Sequence, residues 1–91
     1  MRVRFKLFAN FRELAKKKEV EISYNGTTVN EAILALASSY PELNPRLYQD
    51  GQLRQYVNVL LNGQTVKGDR LTSTPVKEGD EIALFPPVSG G

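Results

Sequence analysis

One stretch limits what this chain can become. Thr28-Val29-Asn30-Glu31 has the form of a capping box: the Thr28 hydroxyl can accept from the Glu31 N–H while the Glu31 carboxylate reaches back to the Thr28 N–H. Behind it Val29, Ala32, Ile33, Leu36, Ala37 and Tyr40 recur at spacings of three and four, which puts them on one helical stripe. Ser38, Ser39 and Pro41 end the pattern. It is the one long amphipathic helix that the sequence contains. The apolar face of any sheet built from the rest must therefore be covered by this helix.

The rest reads as strands. Arg2-Val3-Arg4-Phe5-Lys6-Leu7-Phe8 alternates polar and apolar, so Val3, Phe5 and Leu7 turn inward and Arg2, Arg4 and Lys6 outward. Ala9 to Ala15 can make a helical turn, with Phe11 and Leu14 meeting the core together. Glu19 to Tyr24 alternates again, and Asn25-Gly26 marks a turn. Leu43 to Arg54 is an irregular polar stretch anchored by Leu47 and Tyr48. Tyr56 to Leu61 predicts a third strand, Asn62-Gly63 a tight turn, and Thr65-Val66 a brief strand. Leu71 is expected to plug the core from a loop, and Glu81 to Phe85 to be the last strand.

The order is strand, strand, helix, strand, short strand, strand, and one helix on one face of a small mixed sheet is an α+β layer arrangement. The β-grasp, or ubiquitin-like, fold has this order. In it the first and last strands lie side by side in the middle of the sheet. Residues 1–85 are expected to form that domain and residues 86–91 a flexible tail. Pro86-Pro87 stops the last strand, because neither proline has an N–H to donate, and Gly90-Gly91 closes the chain without side chains.

Composition excludes several chemistries. The chain has no cysteine and no histidine, so it holds no disulfide, no thiolate nucleophile, no Cys/His zinc site and no histidine-based triad. With 41% apolar and 24% charged residues it has the make-up of an ordinary soluble domain. It lacks an apolar run long enough to span a membrane and a signal-peptide pattern, so a cytoplasmic location and no membrane partner are expected. The net charge is +2, and Lys16-Lys17-Lys18 is the one strong charge run, read as a solvated turn. Basic and aromatic residues do not interleave, and no nucleic-acid partner is expected.

One helix leaves one sheet face uncovered. Alternation puts Leu60, Ala83 and Phe85 on it, bordered by Arg2, Arg4 and Lys6, an apolar patch beside the root of the tail that suits a protein partner. Glu78, Asp80 and Glu81 are read as turn formers that pair with the first strand, without a catalytic role. Lys67 and Arg70 fall in a loop that can approach the tail.

A C-terminal carboxylate is anionic at neutral pH and a poor electrophile. Attack on the α-phosphate of ATP would make it an acyl-adenylate, open to an amine or to a sulfur donor. Another protein must perform that step, since this chain has no phosphate-cradling Gly-rich loop. The expected cofactor position follows: none is bound by this chain, and ATP is used by the activating enzyme.

The end of the chain, Glu78 to Phe85 followed by Pro86-Pro87-Val88-Ser89-Gly90-Gly91, resembles the C-terminus of the MoaD-type sulfur carriers, the small subunits of molybdopterin synthase. Leu7-Phe8-Ala9-Asn10-Phe11-Arg12-Glu13-Leu14 is similar to that family's first strand and following turn. The resemblance implies that Gly91 is adenylated by an E1-like (MoeB-like) enzyme and converted to a thiocarboxylate. It implies that Pro87, Val88, Ser89 and Gly90 enter a large catalytic (MoaE-like) subunit, where the sulfur passes to cyclic pyranopterin monophosphate. Catalysis then belongs to the partner, in a hetero-oligomer. The segment from Leu47 to Gly68 is longer than in compact bacterial members, and Leu60-Leu61-Asn62-Gly63 with Val66 is more similar to archaeal or ubiquitin-like modifiers. Three readings stand: a sulfur carrier for molybdopterin synthesis; a ubiquitin-like modifier attached to lysines or serving tRNA thiolation; and a β-grasp interaction domain with incidental glycines.

Overall fold

The structure, a computed structural model, describes residues 1–86. β1 (Arg2–Leu7), α1 (Ala9–Ala15), β2 (Glu19–Ser23) and α2 (Val29–Ser39) follow one another as the periodicities require. A 3-10 turn (Pro41–Leu43), α3 (Asn44–Leu47), β3 (Tyr48–Gln49) and β4 (Gln52–Leu53) come next. β5 (Asn58–Leu61), β6 (Gln64–Thr65), α4 (Arg70–Ser73) and β7 (Glu81–Phe85) complete the chain.

The main sheet has the order β2-β1-β7-β5-β6. β1 runs antiparallel to β2, with Val3 opposite Ile22 and Phe5 opposite Val20, and parallel to β7, with Phe5 opposite Ile82 and Leu7 opposite Leu84. β7 is antiparallel to β5, with Val59 opposite Leu84. First and last strands are thus central neighbours, and the sheet is the β-grasp arrangement that the element order implies. Because side chains alternate across a pleat, this register gathers Val3, Phe5, Leu7, Val20, Ile22, Val59, Ile82 and Leu84 on one face, all buried.

α2 covers that face with Val29, Ala32, Ile33, Leu36 and Ala37. Its start is fixed by the expected capping box: Glu31 N–H donates to Thr28 Oγ1 at 3.2 Å, and Thr28 N–H donates to Glu31 Oε1 at 3.0 Å. The Thr27 N–H, which donates to Glu31 Oε1 at 2.8 Å, and the Thr28 N–H together hold the Glu31 carboxyl below its ordinary pKa. Tyr40 sits at the rim of the stripe, packed against the core but partly exposed.

Two turns set the hairpins. Asn62 (φ 48°) and Gly63 (φ 86°) both have positive φ, the requirement of a two-residue type I′ turn, and they join β5 to β6. Asp50 (φ 53°) and Gly51 (φ 80°) do the same between β3 and β4. The stretch from Leu43 to Arg54 is therefore more ordered than its polarity suggests, and Leu43, Leu47 and Tyr48 are buried. The third strand starts later than Tyr56. Val57 N–H donates to the Arg54 carbonyl at 3.1 Å, so Tyr56 and Val57 are consumed by a turn. Leu61, which alternates with the outward Leu60 and so falls on the inner side, is only half-buried, because it is the last residue of β5 before that strand turns back. Val76 completes the core from the segment before β7. Among the described residues no helix is long and apolar enough to cross a membrane.

Candidate functional site

β1 carries Arg2, Arg4 and Lys6 to the sheet face away from α2, and β2 brings Glu19 and Glu21 opposite them. β7 adds Glu81, Ala83 and Phe85, and β5 adds Asn58 and Leu60. The face divides into two zones. At the end where β7 begins, charges neutralise one another: Arg2 lies 3.5 Å from Glu21 and 3.6 Å from Glu78, while Arg4 and Lys6 lie 4.0 and 3.7 Å from Glu81. Such exposed pairs contribute only about 0–1 kcal/mol each. At the other end the face is apolar, where β7 hands the chain to Pro86.

The apolar zone is built around an aromatic pair. The rings of Phe8 and Phe85 stack with centroids 4.2 Å apart and planes 9° from parallel. The β1–β7 register explains it. Lys6 stands opposite Ala83, so the next outward residues along each strand, Phe8 and Phe85, meet. Both rings are half-buried, as is Leu60. Phe8 was not among the residues expected in the patch. Alternation carried one step past Lys6 would have placed it there.

Ala83 departs from its expected exposure. It is on the open face, as the alternation requires, but only 9% exposed. Its methyl group is short, and the longer side chains of Lys6 and Leu60 stand opposite it on the two flanking strands. Ala83 is therefore the floor of the patch, and Phe8, Phe85 and Leu60 are its surface. Tyr56, 46% exposed, precedes β5 by one turn residue, and the Arg54 guanidinium lies 5.8 Å from the centre of its ring.

The acidic residues near β7 do the structural work expected of them. Asp80 accepts from Asn62 Nδ2 at 3.1 Å and from the Lys77 N–H at 2.7 Å, and Asn62 Oδ1 accepts from the Glu81 N–H at 3.0 Å. The β5–β6 turn is thereby tied to the start of β7. Glu78 accepts from the Arg2 N–H at 2.9 Å, which, with the Arg2 and N-terminal charges, holds its carboxyl below the ordinary range. Lys67 lines a cleft of about 530 Å³ with Asn30, Arg54 and Asp69, and none of the patch residues lines that cleft. Among the described residues there is no group of three or more acidic side chains placed to hold a metal.

Pro87, Val88, Ser89, Gly90 and Gly91, expected to enter a partner and to carry the reactive carboxylate, lie outside the described residues. What the structure does fix is their origin. Phe85 is the last residue of a strand paired on both sides, with its ring stacked and Asn58 opposite it.

The chain is similar to known proteins over nearly its whole length. Small archaeal modifier protein 1 of Haloferax volcanii is 42% identical over 89 residues, covering 96% of this chain and 98% of that protein. A crystal structure of that modifier superposes with a TM-score of 0.87 at 39% identity, covering all of both chains. The molybdopterin synthase sulfur carrier subunit of Escherichia coli is 34% identical over 84 residues, 92% of this chain and 93% of that subunit. One chain of a complex of subunits 1 and 2 of molybdopterin-converting factor from Helicobacter pylori matches at TM-score 0.64 and 27% identity, covering all of this chain and all of that one. Two of these comparisons thus concern carriers or subunits of molybdopterin systems, but the higher identity lies with an archaeal modifier. The ThiS family model matches residues 5–91, from the first strand through the terminal glycine, and this chain belongs to that family of ubiquitin-like ThiS/MoaD domains.

Proposed function

We propose that this protein is a ubiquitin-like modifier and sulfur carrier of the archaeal small-modifier type, whose reactive group is the carboxylate of Gly91. Domains of this family are small carriers rather than catalysts. The observation that carries the reading is the placement of β7: a central strand delivers the chain, at a fixed point beside the Phe8–Phe85 pair, to a segment that ends in Gly90-Gly91.

The chemistry follows from the groups present. An oxygen of the Gly91 carboxylate attacks the α-phosphorus of ATP, and pyrophosphate leaves. The resulting acyl-adenylate has AMP as its leaving group. A lysine amine attacks the acyl carbon, loses a proton, and AMP departs, leaving an isopeptide bond. A sulfide-level sulfur nucleophile in place of the amine gives a thiocarboxylate. The nucleotide site belongs to an E1-like partner. The patch of Phe8, Leu60 and Phe85 docks on such a partner, because a half-buried aromatic pair over an alanine floor offers apolar surface ready to be covered. A side-chain-free terminus then passes down a channel too narrow for larger residues.

The second reading is the sulfur carrier subunit of molybdopterin synthase, paired with a larger catalytic subunit. It is favoured by the 34% identity to the Escherichia coli subunit and by the likeness to one chain of a two-subunit molybdopterin-converting factor complex. Both readings use one adenylate and one thiocarboxylate, and differ in whether lysine is also an acceptor and in where the sulfur goes. Incubation with ATP, the E1-like enzyme of the same organism and either a lysine-bearing protein or a sulfide donor separates them. Sulfur replacing oxygen at Gly91 is expected under both; branched peptides joining Gly91 to lysine support the first, and sulfur passed on to a pterin by an added larger subunit, without branched peptides, supports the second. Equal yields after deletion of Gly91 would overturn both.

A further inference from the structure

We propose that the lysine-lined cleft beside Phe8 is a second docking element, which takes an acidic segment of the enzyme that activates Gly91. It rests on the reading that such an enzyme acts on this chain. The cleft is an open depression of about 610 Å³. Leu7 and Phe8 line its apolar part, and Lys6, Arg12, Lys17 and Lys18 its rim, with Glu19 as the one acidic neighbour.

Three observations select the occupant. First, three of the four cations on the rim, Arg12, Lys17 and Lys18, make no ion pair among the described residues. Arg2, Arg4 and Lys6, by contrast, each have a glutamate within 4.0 Å. Second, the cations are held together by the fold. Lys16 caps α1 in the left-handed conformation (φ 62°), its N–H donating to the Arg12 carbonyl at 2.8 Å. The Lys17 ammonium lies 5.8 Å from the centre of the Tyr40 ring, a cation–π contact. Crowded like charges repel, and carboxylates brought by a partner relieve that repulsion. Third, the cleft is continuous with the patch, since Phe8 belongs to both. One protein body covering Phe8 and Phe85 reaches the lysines without a gap.

A nucleic acid fits less well. A phosphate backbone needs a basic track, and here the adjoining row on β1 and β2 is neutralised by Glu21 and Glu81. Base stacking needs a free aromatic face, and one face of Phe8 is already taken by Phe85.

The test uses the full chain, its K17E/K18E and K17Q/K18Q variants, and the E1-like enzyme of the same organism. ATP–pyrophosphate exchange is measured against carrier concentration at low and high salt. Both lysines are exposed, so the variants should stay folded, with thermal unfolding moved only slightly by loss of the Lys17–Tyr40 contact. The charge reversal should raise KM for the carrier about tenfold, leave kcat at saturation unchanged and flatten the salt dependence of kcat/KM. The neutral variant should fall between. Unchanged KM and salt dependence in K17E/K18E would overturn the proposal while leaving the activation of Gly91 standing. So would binding of an oligouridylate probe that the variant loses with its exchange kinetics intact. No exchange with the parent chain, by an enzyme shown to activate another carrier, would instead remove the underlying reading and this proposal with it.

Discussion

The Phe8–Phe85 stack makes a quantitative claim about the root of the tail. Each ring is half-buried, so cutting either to alanine gives up about 100 Å² of buried apolar surface, or about 2.5 kcal/mol at about 25 cal/mol/Å². Part of that burial is supplied by the other ring, at 4.2 Å and nearly parallel. The two losses therefore should not add. The double variant Phe8→Ala/Phe85→Ala should cost about 1 kcal/mol less than the sum of the single variants. A domain of this size has about 5–15 kcal/mol of stability, so all three variants should still fold. Urea unfolding of the four proteins, read as midpoint shifts at constant slope, gives the coupling. Strict additivity, within about 0.3 kcal/mol, would refute the idea that the two rings hold each other. The exit of the chain from β7 would then rest on strand pairing alone.

Phe85→Asp should abolish activation by the partner enzyme while circular dichroism still reports a fold, and a folded variant with parental exchange kinetics would remove the patch from the docking surface. Thr28→Ala removes the hydroxyl that accepts from the Glu31 N–H and should cost about 1 kcal/mol, lowering Tm by about 4–8 °C. Gly63→Ala meets no atom within 4 Å, so its expected loss of about 1–2 kcal/mol would come wholly from a φ of +86°; an unchanged Tm would contradict the type I′ turn. The pH dependence follows from Glu31 and Glu78, whose carboxyls are held below their ordinary pKa. Their stabilisation is complete above the unfolded value of about 4.3 and is lost as pH falls through the folded values. E31Q and E78Q should therefore each show a shallower acid decline in stability than the parent, and parallel declines would contradict the assigned hydrogen bonds.

The sequence made the frame legible wherever one physical rule dominated. Period-two alternation in β1 and the period-3.6 stripe of α2 are both consequences of one-sided burial, and both elements appear where they were expected. The β3–β4 hairpin was missed because its strands are two residues each, too short for any periodicity, although Asp50-Gly51 carried the turn signal. Ala83 was placed on the correct face but read as exposed, since alternation reports direction and says nothing of the height of neighbouring side chains. Phe8 was missed for a related reason: its partner is 77 positions away, and only the parallel register of β1 with β7 brings the two rings together. The lysine run was legible as a solvated turn, and Lys16 is indeed an exposed helix cap. That this turn borders a cleft shared with Phe8 is a property of the fold, visible only once α1 has been set beside the sheet.

The account rests on Gly91 as the reactive residue, and intact-mass analysis of the full chain addresses that directly. The parent and a variant lacking Gly91 are each incubated with ATP, the E1-like enzyme and a sulfide donor, then digested and sequenced at the C-terminus. The expected result is sulfur replacing one oxygen on Gly91 of the parent and no change in the shortened chain. A parent left unmodified by an enzyme active on another carrier, or a shortened chain modified equally well, would contradict the central claim.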